Sequence, residues 1–207
     1  MNPPPATALK QTTKGEETRA QILAAAVQQA SRCGFESLTI GTLAEKTGMS
    51  KSGLFAHFGS KQELQLAALD EAARMFTEEV FMPAMKAPRG VKRMRALLEA
   101  WVTWPQRASL PGGCPVDQAM REYIHTEGPM RDAALDRQKQ LDRELSRTVQ
   151  MAIDTGELSP KTDPRQVAIE IVGIVLASYR VVPLHGAAQS YKFAHAAFDR
   201  LIEANRP

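Results

Sequence analysis

The chain has 207 residues, 43% of them hydrophobic, and carries 26 Lys and Arg against 23 Asp and Glu. Its two cysteines, Cys33 and Cys114, exclude a disulfide-rich secreted scaffold, and its longest apolar run, nine residues from Ile171 to Tyr179, is too short to cross a bilayer. The formal charge of +3 lies entirely in residues 1–61, which hold seven basic and four acidic side chains. This small surplus makes nucleic acid a partner worth testing but identifies none.

Helical spacing of apolar residues recurs from residue 18 to the end of the chain, whereas strand patterns are nearly absent. We therefore expect an all-α fold of about nine helices. The polar, proline-rich residues 1–17 are predicted to form a flexible arm without the apolar segment of a signal peptide, so we expect a cytoplasmic protein. In chain order, the spacing predicts helices over 18–33, 40–47, 51–58, 60–83, 91–104, 116–124, 129–154, 164–182 and 187–204.

Residues with known roles at helix ends support these boundaries. Ser60 and Glu63 are spaced as a capping box at the start of the fourth helix. Pro83 and the cluster 88–90 are expected to end that helix and to mark the seam between two parts of the chain. Pro105 is likewise expected to end the helix that follows.

Residues 39–61, TIGTLAEKTGMSKSGLFAHFGSK, carry the most specific pattern in the chain. Gly48 permits a tight turn with a positive φ, and Ser50 caps the helix that follows. The predicted inward-facing residues are Leu43, Ala44, Leu54 and Phe58. Two short helices joined in this way form a helix-turn-helix, whose second helix enters the major groove of DNA, although an ordinary helical hairpin shows a similar pattern.

A wider set of residues carries a family signature. It comprises Thr18, Arg19, Ile22–Ala26, Gly34, Phe35, Leu38, Thr39, Leu43, Ala44, Gly48–Lys51, Leu54–Phe58, Ser60, Lys61 and Leu64. Together they closely resemble the DNA-binding domain of the tetracycline-repressor (TetR) family of bacterial transcription regulators. The resemblance implies a three-helix DNA-binding domain at 18–64 and a helical ligand-binding and dimerisation domain at 65–207. It also implies a repressor that a small molecule releases from a near-palindromic operator.

The resemblance assigns DNA contacts to Thr39, Thr42, Lys46, Lys51, Ser52, Gly53, Phe55, His57 and Lys61. Thr39 resembles a phosphate-binding position at a helix N-terminus, and Lys51 and Ser52 would reach base edges or phosphates. Phe55 stands where the family usually has Tyr, so a phosphate hydrogen bond is missing there. For two of these residues a structural role remains the alternative, namely Gly53 and His57. The arm residues Lys10 and Lys14 would add contacts or remain a solvated tail.

The resemblance also implies a homodimer formed through the last two helices, 164–182 and 187–204, and a cavity enclosed by the helices between 62 and 182. Adaptable apolar side chains suit such a cavity. The expected lining residues are Phe81, Met82, Met85, Trp101, Trp104, Tyr123 and Tyr179. For each of them, and for the apolar stripes of the last two helices, a place in the monomer core remains the alternative.

A Gly112-Gly113-Cys114 segment before a helix resembles one that recurs in some subgroups of the family. A helix N-terminus would lower the pKa of Cys114, which makes a thiol-based redox regulator one alternative, and a buried inert thiol another. A metal site at Asp117, Glu122 and His125 would lack a fourth ligand, so we expect no metal. The chain has no enzyme motif and implies no cofactor, and a ligand-free architectural DNA-binding protein is the remaining alternative.

We predict that Lys61→Ala lowers the affinity for every DNA sequence, because a phosphate contact carries no sequence information. The slope of log K against log salt concentration should flatten by about 1. Fluorescence anisotropy titrations at several salt concentrations would measure both effects. Binding that does not respond to salt would contradict the assignment of the phosphate contacts.

Overall fold

The computed structural model describes residues 13–207, and within that range all regular structure is helical. The helices are α1 (Lys14–Cys33), α2 (Ile40–Thr47), α3 (Lys51–Phe58), α4 (Lys61–Phe76), a π-helical segment (Thr77–Phe81), α5 (Met82–Met85), α6 (Val91–Arg107), α7 (Pro115–Tyr123), α8 (Pro129–Asp154), α9 (Pro164–His185) and α10 (Ala187–Ala204). Because α4, the π-helical segment and α5 follow one another without a break, the described residues form nine separate helical rods. The all-α fold class is confirmed.

Helix α1 begins four residues earlier than predicted. The Thr13 hydroxyl accepts the Glu16 N–H at 3.2 Å, and the Glu16 carboxylate accepts the Thr13 N–H at 2.7 Å. This capping box starts the helix at Lys14, so the prediction of a flexible arm is wrong for residues 14–17. The rest of the arm, including Lys10, lies outside the described residues.

The capping box predicted at the start of α4 forms only in half. The Ser60 hydroxyl accepts the Glu63 N–H at 3.1 Å, as expected. The Ser60 N–H donates instead to the Phe58 carbonyl at 2.7 Å, because α3 ends only two residues earlier. A bond to the end of α3 thus takes the place of the second capping-box bond, from the Ser60 N–H to the Glu63 carboxylate.

Three helices continue past prolines instead of ending before them. Pro83 lies inside the rod that ends with α5, Pro105 lies inside α6, and Pro183 lies inside α9. The predictions that Pro83 and Pro105 end their helices are therefore wrong. The helices end at Met85, Arg107 and His185.

Tertiary hydrogen bonds explain why two of these prolines are tolerated. A proline leaves the carbonyl four residues before it without an N–H partner. For Pro105 this is the Trp101 carbonyl, which accepts the Tyr179 hydroxyl at 2.8 Å. For Pro83 it is the Glu79 carbonyl, which accepts the Arg107 guanidinium at 3.1 Å. Both donors come from other parts of the chain, so spacing along the sequence does not reveal them.

One continuous hydrophobic core runs through the described residues. Helices α1–α3 form a small bundle, the first group, and α5–α10 form the second group. Helix α4 crosses α1 and continues into the second group, where it packs on α8. Helix α7 contacts α1, α4 and α8, and it therefore joins the two groups. At the far end, α9 and α10 pack against each other along much of their length.

Candidate nucleic-acid interface and cavity

The helix-turn-helix is held together by local caps. Thr39 caps α2, where its hydroxyl accepts the Thr42 N–H at 3.1 Å and the Thr42 hydroxyl accepts the Thr39 N–H at 3.2 Å. Gly48 has the positive φ of 70° that the turn requires. Ser50 caps α3 by accepting the Gly53 N–H at 3.0 Å. The two helices have the bounds that the sequence predicts.

The outer face of α3 presents three of the predicted DNA-contacting side chains. Lys51 and Ser52 are exposed in the first turn, and Phe55 is 57% exposed one turn later. Leu54 and Phe58 point into the core on the opposite face. The outer face therefore offers a cation, a hydroxyl and an aromatic ring, which can meet phosphates, base edges and a thymine methyl.

Four other predicted contacts already have intramolecular partners. The Thr39 and Thr42 hydroxyls both belong to the α2 cap, and the Lys46 ammonium lies 3.4 Å from the Ala25 carbonyl of α1. The Lys61 ammonium forms an ion pair with the Glu36 carboxylate at 2.7 Å. A DNA phosphate would have to displace Glu36, so the effect of Lys61 on DNA affinity stays a prediction.

The structure also bears on the two residues with open roles. A Cβ at Gly53 would lie 3.1 Å from the Ser50 hydroxyl, so glycine leaves room for the α3 cap. The His57 ring is half-buried, with its centroid 6.2 Å from that of Phe58. Gly53 therefore has a structural role in the free protein, and the role of His57 stays open.

A cavity of about 230 Å³ lies between the π-helical segment and helices α6 to α9. The apolar part of its wall consists of Phe76, Phe81, Trp101, Val116, Leu141, Val172 and Leu176. The polar part includes Asp117, Arg137, Gln138 and Glu144. This cavity, called the inner cavity below, is where a small molecule can be enclosed.

Of the residues predicted to line the cavity, only Phe81 and Trp101 do so. Met85 packs against the core and Met82 is 56% exposed, so neither contributes. The remaining three, Trp104, Tyr123 and Tyr179, lie outside its wall.

The polar tips of these three aromatic residues form hydrogen bonds within the fold. The Trp104 indole donates to the Glu79 carboxylate at 3.2 Å, and the Tyr123 hydroxyl donates to the Glu36 carboxylate at 2.9 Å. The Tyr179 hydroxyl holds the Trp101 carbonyl, as described above. Sequence reasoning missed Phe76 as a lining residue although it lies on the apolar stripe of α4, because spacing along one helix does not show which face borders empty space.

Cys114 is buried and lines the inner cavity. Burial raises the pKa of its thiol to about 11, which is opposite to the lowering expected of a reactive cysteine. The neighbouring glycines have a packing role: a Cβ at Gly112 would lie 1.6 Å from the Ser31 carbonyl oxygen of α1. The Ser31 hydroxyl also accepts the Gly112 N–H at 3.1 Å and donates to the Gly113 carbonyl at 3.0 Å. These contacts give no support to the redox alternative.

The C-terminal end of α7 is bonded to the loop that precedes α2. The two carboxylate oxygens of Glu122 accept the backbone N–H groups of Phe35 and Glu36, each at 2.7 Å. A Cβ at Gly34, where φ is 82°, would lie 2.8 Å from the same carboxylate, so only glycine allows this approach. The Gln65 amide of α4 donates to the Phe35 carbonyl at 2.8 Å. The loop is therefore held by both α7 and α4.

Two of the three residues of the possible metal site, Asp117 and Glu122, have protein partners instead. Glu122 is bonded to backbone amides, and Asp117 pairs with Arg121 at 3.0 Å. Within residues 13–207, no group of three His, Cys, Asp or Glu side chains is placed to hold a metal ion. The hydrogen bonds that Glu36 accepts from Lys61 and Tyr123 lower the pKa of its carboxyl, so Glu36 is charged at neutral pH.

Helices α9 and α10 leave an apolar groove exposed. Its wall includes Gly173, Ile174, Ala177, Val181, Phe193, Ala196 and Ala197. Phe193 of α10 is 47% exposed. Although its uninterrupted apolar run has only nine residues, α9 as a whole is long and apolar enough to span a membrane by length and composition alone, which differs from the expectation based on that run. In a single copy of the chain, this face would remain in contact with water.

Comparison with known proteins places both parts of the chain. Residues 22–68 match the family model "Bacterial regulatory proteins, tetR family", and residues 90–198 match "Tetracyclin repressor-like, C-terminal domain". The HTH-type transcriptional repressor AcnR of Corynebacterium glutamicum is 29% identical over 159 residues, which is 77% of this chain and 76% of that protein. A TetR transcriptional regulator from Chloroflexus aurantiacus superposes with a TM-score of 0.79 at 26% identity, covering 92% of this chain and 94% of the other.

A further solved structure, of AibR in complex with isovaleryl coenzyme A and operator DNA, has a TM-score of 0.72 at 23% identity. The match covers 89% of this chain and 98% of that one. At this level of identity, the similarity concerns the fold.

We predict that the two thiols react very differently with dithiobis(nitrobenzoate). At pH 8, a thiol with a pKa of about 11 is about 0.1% thiolate, against about a quarter for an ordinary cysteine. The exposed Cys33 should react quickly, and Cys114 should react only after unfolding in guanidinium. In Cys33→Ser, absorbance would follow Cys114 alone. Rapid reaction of Cys114 with simultaneous release of DNA would restore the redox alternative.

Proposed function

The chain belongs to the TetR family of bacterial transcription regulators, and we propose that it is a homodimeric repressor that leaves a near-palindromic operator when a small molecule fills the inner cavity. The family consists of DNA-binding transcription factors, so the protein is a regulator and not an enzyme. We assign DNA binding to residues 18–64 and ligand binding and dimerisation to residues 65–207. As a chromosome-binding regulator, it would work in the cytoplasm.

The observation that carries this proposal is the double role of α7. At its N-terminal end, Val116 and Asp117 line the inner cavity, and at its C-terminal end Glu122 and Tyr123 hold the loop before α2. A ligand that shifts α7 therefore acts on the position of the DNA-binding helices. Ligand and DNA would then favour different positions of α7, which is the condition for one to release the other.

The exposed groove of α9 and α10 supports dimerisation through these helices. Small residues such as Gly173, Ala177 and Ala197 allow two helices to approach closely. A second copy would cover the apolar face of α9, which accounts for its hydrophobicity without a membrane. Because one helix-turn-helix contacts few bases, two related by a two-fold axis are needed to recognise an operator.

Within each subunit, we propose that the main DNA contacts are made by Thr39, Lys51, Ser52 and Phe55. Thr39 lies at the N-terminus of α2, where the helix dipole and free N–H groups favour a phosphate, and the other three lie on the outer face of α3. Lys46, His57 and Lys61 would follow as phosphate contacts. The similar AibR complex, crystallised with both isovaleryl coenzyme A and operator DNA, is consistent with one fold accepting a ligand and DNA.

We predict that selection from random duplexes by the purified protein will enrich an inverted repeat. The two half-sites should lie about 34–36 Å apart, or a multiple of that distance, because each subunit enters the major groove on the same face of the helix. Sequencing of the selected pool measures this. Release assays with a metabolite and drug panel follow on the same duplex. Enrichment of no repeat would contradict an operator-binding dimer, and a panel without any releasing compound would favour the architectural alternative.

We predict that Glu122→Gln weakens binding to the selected duplex. Glutamine keeps the shape but replaces one acceptor oxygen by a donor, so one of the Phe35 and Glu36 amides loses its partner, at a cost of about 1–3 kcal/mol. Glu127→Gln, an exposed residue with the same change of charge, is the matched control. Equal DNA affinity for both variants would contradict the proposed role of α7.

A further inference from the structure

A second, more polar cleft adjoins the inner cavity. It has a volume of about 450 Å³, and its wall includes Gly112, Arg121, Ala177, Tyr179 and Arg180. This outer cleft and the inner cavity share Cys114, Asp117 and Leu176 as wall residues. The two spaces are therefore neighbours that share these three side chains in their walls.

The charged residues of the two walls differ in whether they have a partner. Asp117 pairs with Arg121 at 3.0 Å, and Glu144 pairs with Arg147 at 3.3 Å. The remaining inner cation, Arg137, pairs with Asp70. Arg180 is exposed and has neither an ion-pair nor a hydrogen-bond partner in the part of the chain that the structure describes. The outer cleft thus offers one uncompensated positive charge.

The buried polar atoms of the inner wall disfavour a cationic ligand. Trp101 Nε1 and Arg137 Nε are buried without a hydrogen-bond partner in the described structure. Both are donors, and a buried donor without an acceptor is costly. A cationic ligand would bring further donors to this wall and would be repelled by Arg180, whereas an anionic ligand does neither.

We propose that the ligand is an amphipathic anion, with a short apolar chain in the inner cavity and an anionic head group against Arg180 in the outer cleft. This inference rests on the proposed function and names the class of its ligand. The inner cavity of about 230 Å³ has a largely apolar wall, which suits a short apolar chain. The aromatic and aliphatic wall binds the chain, and Arg180 selects the head.

The position of the head group also connects this ligand class to release from DNA. Asp117 and Arg121 stand beside Arg180 in the outer cleft, and both belong to α7. An anion next to Arg180 attracts Arg121 and repels Asp117, so it acts on both members of their ion pair. The charge of the ligand would thereby act on α7, which contacts the DNA-binding domain.

The test uses three probes that share one chain and differ in the head: octanoate, 1-octanol and octylammonium. Each is titrated by calorimetry into the full-length protein, up to about 5 mM, where even weak binding of about 4 kcal/mol is detected. We expect octanoate to bind at least about tenfold more tightly than octanol, and octylammonium to bind most weakly. Octylammonium binding as tightly as octanoate, or no binding of any probe, would overturn the proposal.

Two variants locate the head group. Arg180→Gln should remove the preference for octanoate over octanol without weakening octanol binding, because the inner cavity is unchanged. Arg143→Gln, an exposed arginine of α8 outside both cavities, makes the same change of charge and should keep the preference. Because Ala177 lines both the outer cleft and the α9–α10 groove, size-exclusion chromatography with light scattering verifies the oligomeric state of each variant. An unchanged preference in Arg180→Gln would overturn the assignment.

DNA binding is measured separately, so the two proposals fail in different ways. Octanoate that binds without releasing the selected duplex would leave the ligand class standing and contradict ligand-controlled repression. Selective DNA binding by a protein that prefers the octanol or octylammonium probe would leave the regulator standing and overturn the ligand class.

Discussion

The bond between the Glu122 carboxylate and two adjacent backbone amides is the interaction on which the rest of this structure depends. The loop it holds, residues 34–39, places Thr39 and therefore the start of α2. The Phe35 amide is partly buried and needs an acceptor, and the Glu122 side chain of α7 supplies one for it and one for the exposed Glu36 amide. The bond is possible because Gly34 lacks a Cβ where Glu122 approaches and Gly112 lacks one where α1 and the loop before α7 meet. Two glycines thus allow α7 and the loop before it to pack against the N-terminal helices.

Several aromatic residues outside the first three helices also form hydrogen bonds that hold the fold together. The Tyr123 hydroxyl and the Trp104 indole donate to the carboxylates of Glu36 and Glu79. The Tyr179 hydroxyl donates to the Trp101 carbonyl, which Pro105 leaves without a backbone partner. Phe76 and Phe81, which have no polar atom in their side chains, line the inner cavity. The inner cavity is therefore lined largely by side chains that form no hydrogen bonds within the framework, and the proposed ligand class rests on the few polar groups without a partner.

Charge has a modest role in the proposed DNA contact and a local one in the cavity. Lys61, one of the few cations near the helix-turn-helix, is paired with Glu36, so the net surplus overstates the free positive charge of that surface. The α2 N-terminus and the exposed side chains of α3 would carry much of the contact instead. In the outer cleft, by contrast, Arg180 has no ion-pair partner among the described residues, so the proposed ligand would meet an uncompensated charge there.

The sequence by itself determined the helix-turn-helix and the family, because its caps and turn are made by residues within a few positions of one another. The bounds of α2 and α3 follow from Thr39, Gly48 and Ser50 alone. Only the tertiary structure decided that helices run past Pro83 and Pro105, that Cys114 is buried, and which residues enclose the cavity. Each of these depends on groups far apart in the chain, such as the Tyr179 hydroxyl that completes the Trp101 carbonyl. Helical periodicity states which residues share a face, but what that face meets is decided by packing.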